Sequence, residues 1–210
     1  SILKKKYNRK NAHLIYNGVN IPTSAKHDAY ITSLGLKKNK YLIGVGRFVE
    51  EKGFSDLIKA YSRIKTDVKL VLVGDADHET NYSEALKKEA KEAGVVLTGF
   101  IRGEKLNQIF THALLFAMPS YHEGLPIALL EAMSYNLNVL VSDIPANLEV
   151  NLGAENYFKV GNIDDLTKKL TSKLKEKNQI IQYSERIKNT YNWDIIAEQV
   201  IKVYSIPLSL

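Results

Sequence analysis

The chain has 210 residues, 45% of them hydrophobic and 25% charged, enough for a real core in one large domain or two small ones. It contains no cysteine, which excludes disulfide frameworks and Cys-based zinc sites and fits a reducing compartment. Lys and Arg exceed Asp and Glu, 29 against 23. Without interleaved aromatics or a recognition motif, that excess does not describe a nucleic-acid binder.

Part of the excess lies in "KKKYNRK" (Lys4 to Lys10), which carries five cations and no anion. Such a run is either drawn to an anionic membrane surface or ligand, or is simply a solvated face. No apolar run approaches the ~20 residues a membrane span needs, and the start lacks the apolar region of a signal peptide. It also lacks an initiating Met, so the sequence reads as a piece of a longer one. Leu14 to Val19 is read as a short strand and turn.

From Tyr41 onward, short apolar runs alternate with helical patterns. Strands are expected at 41–46, 68–74, 95–99, 114–119, 138–142 and 157–160. Helices are expected between them, at about 54–64, 82–93 (closed by Gly94), 104–112, 126–135 and 146–151. Beyond Asp164 the pattern is helix only, at 165–177, 180–191 and 193–204, the last with Ile196, Val200 and Val203 on one face. Near-continuous apolar strands alternating with helices imply a parallel sheet covered on both faces. The predicted fold is α/β, a Rossmann-like doubly wound parallel sheet of about six strands with C-terminal helices.

In such sheets ligands bind at the carboxyl ends of the strands, so the segments after each strand carry the candidates. After the first stands "GRFVEEKG" (Gly46 to Gly53), where Arg47 offers a planar fork of donors and Lys52 a movable point charge. Together they suit a diphosphate, or they pair with Glu50 and Glu51. "GVGRFV" has Val49 where a dinucleotide fingerprint needs its third glycine, so a nicotinamide or flavin is not expected. A Walker-type ATP loop is absent too. After the second strand, Asp75, Asp77, His78 and Glu79 crowd together, but without cysteine or clear spacing they are a weak metal set.

After the fourth strand comes "SYHEGLPIALLEAM" (Ser120 to Met133), with Glu123 and Glu131 eight apart. Gly124 permits close backbone approach, and the helix start beside it is an anion site. Glu123 either caps that helix or accepts bonds from sugar hydroxyls, two at once. Glu131 lies ~7–8 Å further along the axis at about 1.5 Å per residue. It either binds a second hydroxyl pair, such as a ribose's, or edges the apolar face. Two cations and a helix start for phosphates, with two carboxylates for hydroxyls, match the order of parts in a nucleotide sugar.

"EGLPIALLE" resembles the E-x7-E signature of retaining GT-B glycosyltransferases, glycosyl transferases group 1. "GRFVEEKG" resembles their G-R-x4-K-G segment, "YNGVN" (Tyr16 to Asn20) the start of their second domain, and "YNWDIIAEQVIKVY" (Tyr191 to Tyr204) their closing helix. The resemblance runs from about Ile15 to Tyr204. It implies a catalytic set of Glu123, Arg47 and Lys52, with the two cations on the donor diphosphate and Glu123 on donor hexose hydroxyls. Gly124 and Leu125 would assist through backbone N–H groups, Glu131 would bind the ribose, and the backbone around Ile101 would read the base. Thr98, Gly46 and His122 complete the implied donor set, His122 with a solvent or cap role as its alternative. No metal or cofactor is implied. Two departures concern loop geometry: Ala76 stands at a usual glycine, and "DIPANLE" lacks a common Gly-Gly pair.

The family has two such domains, and the resemblance covers the second, donor-binding one. It implies a lead-in at 1–40, a donor domain at 41–192, and a helix at 193–210 crossing back to an absent N-terminal acceptor domain. The expected activity is hexosyl transfer from a nucleotide-diphosphate sugar to a glycan or lipid acceptor, cytoplasmic or peripheral at the inner membrane face, with the fragment alone inactive. The alternatives are a stand-alone nucleotide-sugar-binding module, or another GT-B activity such as an epimerase or phosphorylase.

Overall fold

A computed structural model describes residues 13–176 and 182–205. The basic run at 4–10 lies outside them, as do residue 177 and residues 180–181 of two expected helices and residues 206–210 of the expected closing helix.

Six strands form one sheet in the order β3-β2-β1-β4-β5-β6, and every pairing is parallel. They are β1 (Tyr41–Val45), β2 (Lys69–Val73), β3 (Val96–Leu97), β4 (Leu115–Met118), β5 (Asn138–Ser142) and β6 (Tyr157–Phe158). This is the doubly wound order, reversing between β1 and β4. The helices are α1 (Ala29–Ser33), α2 (Phe54–Ser62), α3 (Asn81–Glu92), α4 (Glu104–His112), α5 (Ile127–Ser134), α6 (Pro145–Leu148), α7 (Ile163–Lys175), α8 (Ser184–Thr190) and α9 (Trp193–Tyr204).

Side chains alternate across the pleat and build two cores. Ile43, Val71, Phe116 and Val139 face α1, α4, α5 and α8 through Ile31, Phe110, Leu130 and Ile187. Leu42, Leu70, Leu115 and Leu140 face α2, α3 and α7 through Leu57, Leu86 and Leu166. Each such fully buried side chain is worth about 1.5–3 kcal/mol relative to exposure.

The boundaries shift where capping and edge effects act. Helix α7 starts at Ile163, two residues early, because Asn162 accepts a hydrogen bond from the Asp165 N–H (2.9 Å). Thr80 and Ser83 form a reciprocal capping box that starts α3 at Asn81. Strands β3 and β6 are shorter than expected, as edge strands paired on one side. The expected strand at Leu14 to Val19 is only a single bridge from Val19 to Asn192. Helix α1 was not expected. It docks on α4, where the Tyr30 N–H donates to Gln108 Oε1 (2.8 Å). Among the described residues no helix is long and apolar enough to cross a membrane.

Helices α2 and α5 leave β1 and β4 on opposite faces, so their loops diverge around a crevice. One point closes it. Gly53, at φ 66°, ends a 3-10 turn (Glu50–Lys52), and a Cβ there would stand 2.3 Å from the Pro119 carbonyl oxygen. The Tyr121 N–H donates to the Glu51 carbonyl (2.8 Å) beside it. Gly124 has nothing within 4 Å of a built Cβ. Gly53→Ala is therefore expected to lose about 2 kcal/mol or more of stability through strain and collision, while Gly124→Ala stays within about 0.5 kcal/mol of the parent. Urea unfolding of the two variants measures the difference.

Candidate functional site

The ends of β1 and β2 open into a cavity of about 570 Å³. Its walls are mainly apolar, with Val45, Val73, Ala76, Ile101 and Leu106, and Gly46 and Gly74 form part of the lining. Those two glycines approach closely: a Cβ on Gly74 would meet the Gly46 carbonyl oxygen at 2.0 Å. Phe100 lies at the rim, 78% exposed. Arg47 and Asp77 supply charge at the same rim. Gly46, Arg47 and Ile101, singled out separately in the sequence, are thus brought together. Thr98 is not in the lining; its N–H donates to the Leu72 carbonyl (3.1 Å), holding the turn that presents Phe100 and Ile101.

Arg47 donates to Asp77 (3.1 Å) and reaches Glu51 (3.5 Å). The pairing with Glu51 matches the structural alternative read in the sequence; Asp77 was seen there only as a metal candidate. All three side chains are about half exposed, so these contacts are weak and easily displaced. Asp75 and Glu79 instead hold Lys87, each at 2.9 Å. The Lys87 bond keeps the Asp75 carboxyl below its ordinary value. Among the described residues no three His, Cys, Asp or Glu are grouped to hold a metal ion.

Lys52 pairs differently. Its Nζ donates to both oxygens of Glu123, at 2.8 and 2.9 Å, with the side chains only 18% and 10% exposed. The Ser120 hydroxyl donates to Glu123 Oε1 (2.7 Å). Glu123 is therefore not a helix cap: α5 begins after Pro126, with no side-chain cap bond. Nor are both carboxylate oxygens open to a pair of hydroxyls. Three bonds fill most of the roughly four lone-pair directions of a carboxylate, leaving about one acceptor position on Oε2. Lys52 likewise keeps one N–H to direct elsewhere. Ser120 was missed, although its i,i+3 spacing to Glu123 was visible.

Glu131 sits in the second turn of α5, half-buried, with no side-chain partner among the described residues. Burial pushes its carboxyl above the ordinary value. Tyr135, one turn on, is pushed up to about 12 by burial and by Glu131. Gly124 and His122 are exposed, and Leu125 is half-buried. Glu131, Lys52 and Glu123 lie outside the cavity's lining. The chemistry on offer is graded: apolar walls by β2 and β3, cations at the centre, and carboxylates by β4 and α5.

The family described as glycosyl transferases group 1 matches residues 27–193. An uncharacterised glycosyltransferase of Methanocaldococcus jannaschii is 27% identical over 94% of this chain and 54% of its own length. The alpha-maltose-1-phosphate synthase of Mycolicibacterium smegmatis is 24% identical over 91% and 56%. The chain spans about half the length of these curated relatives. Among solved structures, Anabaena HepE in complex with UDP and glucose superposes with a TM-score of 0.81 at 20% identity, covering 92% of this chain and 56% of that one. That likeness shows a shared fold.

Two stability measurements test the charges. Removing one partner of the part-buried pair strands the other, so Lys52→Met is expected to cost about 2 kcal/mol, against roughly 0.5 kcal/mol or less for Arg47→Ala. For Glu131 the folded state binds the proton more tightly than the unfolded chain. That contribution is present below the unfolded carboxylate value and lost as pH rises through the raised one. Glu131→Gln should thus melt above the parent near neutral pH, and the gap should close towards about pH 4. An equal gap at both pH values would show that desolvation of the carboxylate is not the cause.

Proposed function

The chain belongs to the glycosyl transferases group 1 family, and from that premise we propose that it is the donor-binding half of a retaining hexosyltransferase. Its ligand is a nucleoside diphosphate sugar lying across the carboxyl ends of β2, β1 and β4. The observation that carries this reading is the apolar cavity with Arg47 in its lining, beside the Lys52–Glu123 pair, with Glu131 on the helix that follows. The UDP and glucose held by the Anabaena relative support the same ligand class.

The base lies against Phe100 and Ile101, with the backbone at Ile101 reading its edge. Thr98 and Gly46 shape that wall. Glu131 accepts the ribose hydroxyls, which relieves a half-buried carboxylate of its lack of partners. Arg47 turns from Asp77 and Glu51 to the diphosphate. Lys52 keeps Glu123 and gives its remaining N–H to a phosphate oxygen. The N–H groups of Gly124 and Leu125 add donors at the start of α5, and His122 stands at the mouth. Glu123 offers its last acceptor position to a hexose hydroxyl and orients the sugar.

As the glycosidic bond to the diphosphate breaks, negative charge grows on the leaving phosphate. Arg47, Lys52 and the start of α5 stabilise that charge in place, the larger part of what this half contributes to rate. The acceptor, a glycan or lipid, arrives on the same face of the sugar, so the anomeric configuration is retained. It is held by an N-terminal domain of the longer protein, to which α9 crosses back. The half exposed Trp193 and the exposed Ile201 and Tyr204 of that helix are consistent with such a partner. The two cations supply the charge stabilisation without a metal or cofactor. The whole enzyme would work in the cytoplasm, free or peripheral at the inner membrane face.

Calorimetric titration with UDP, GDP and ADP and their hexose conjugates tests this. One nucleotide class should bind, and Arg47→Ala with Glu131→Ala should weaken it roughly 100-fold or more, two charge-assisted contacts being lost. Asp77→Asn should tighten it severalfold, since Arg47 then has one fewer competitor. Binding that ignores all three substitutions would overturn the assignment.

A further inference from the structure

Beneath Glu123 runs a chain of hydrogen bonds that neither the family pattern nor the site geometry above assigns. Asn147 of α6 donates through Nδ2 to the Ser142 carbonyl (2.9 Å) and hydroxyl (3.2 Å). The Ser142 hydroxyl, at the end of β5, donates to the Ser120 carbonyl (2.5 Å). The Ser120 hydroxyl donates to Glu123 Oε1 (2.7 Å), and Lys52 closes the series. Ser120, Ser142 and Asn147 are each fully buried, at 0% exposure.

From this chain we infer that Ser120 is a positioning residue, with Ser142 and Asn147 as its foundation, and that it sets which way Glu123 presents its one open acceptor. Lys52 alone cannot do this. A lysine is a flexible point charge, and its ammonium can swing with the carboxylate. Ser120 is different because both of its ends are fixed: its carbonyl is pinned to β5, and its hydroxyl reaches the same carboxylate oxygen that Lys52 holds. The bond to Oε1 makes the two oxygens unequal, so the open position falls on Oε2. Buried serine hydroxyls would be a liability unless bonded; here the Ser142 hydroxyl bonds the Ser120 carbonyl and the Ser120 hydroxyl bonds Glu123, while Asn147 Oδ1 has no partner among the described residues.

The inference rests on the reading that Glu123 touches donor hexose. The measured quantity is sugar selectivity, the ratio of the Kd for the bare nucleoside diphosphate to that for its hexose conjugate, by calorimetry on the protein. Ser120→Ala should lower this ratio roughly fivefold or more, since a hydrogen bond to a charged group is lost. The nucleotide itself should bind within about twofold of the parent, because the effect passes through Glu123 alone. Ser120→Cys keeps the volume and a weak donor, and should fall between; it also serves if the alanine variant folds poorly. Ser142→Ala should move the ratio in the same direction. Glu123→Gln is run alongside. A ratio that falls in Glu123→Gln but not in the serine variants overturns the inference and leaves the functional reading intact. A ratio unchanged in Glu123→Gln as well overturns both. Equal losses for nucleotide and sugar, with a lower Tm, would make Ser120 merely structural and overturn the inference.

Discussion

The bond between Lys52 and Glu123 is the constraint on which the crevice depends. Helices α2 and α5 leave the sheet on opposite faces, so beyond the β1–β4 pairing no secondary structure holds their preceding loops together. Among the described residues the contacts that cross the gap include Gly53 against the Pro119 carbonyl, the Tyr121 N–H to Glu51, the Tyr121 hydroxyl to Asp56, and this ion pair. The first two fix backbone and the Tyr121–Asp56 bond ties the loop to α2. The ion pair fixes the atoms of the candidate site, and it is mostly shielded from water. Two charges so placed are costly to separate and costly to leave alone, so the geometry of the site is tied to the integrity of the fold.

That burial divides the two cations into different kinds of group. Arg47 is about half exposed and shared between Asp77 and Glu51, contacts of the sort that contribute about 0–1 kcal/mol. It can exchange them for a phosphate at little loss. Lys52 cannot leave Glu123 without leaving a part-buried carboxylate with only the Ser120 hydroxyl. An incoming dianion therefore meets one cation that moves to it and one that it must come to. The net charge of +6 is no guide to this, because near the cavity Arg47 and Lys87 already have carboxylate partners.

Much of this was legible in the sequence, and the reason is the parallel sheet. Strands buried on both faces read as plain apolar runs, and the loops after them are the only place for a ligand. That reasoning reached Arg47, Lys52, Glu123 and Glu131, and it found the six strands. What it missed depends on contacts distant along the chain. Helix α1 is five residues, too short for a periodic pattern, and it is held by Gln108. The partnership of residues 52 and 123 has no local sign. Asp77 and Ser120 stood in segments already singled out, yet their roles follow from where Arg47 and Glu123 point. The caps at Thr80 and Asn162 were visible as residue types and went unread.

Two residues at the carboxyl edge depart from ordinary local rules. Glu131 carries a carboxylate into half-buried surroundings without a partner among the described residues, at a cost in stability near neutral pH. Phe100 holds a large apolar ring in water, 78% exposed. Natural sequences tend to carry such inconsistencies where function requires them. A ligand with hydroxyls at one place and a flat apolar face at another would relieve both, and a nucleoside has that form. The ring would gain by stacking, and the carboxylate by two hydroxyl donors. The two departures are on different elements, after β3 and within α5, so no single packing compromise accounts for them. The nucleotide sugar proposed above would account for both.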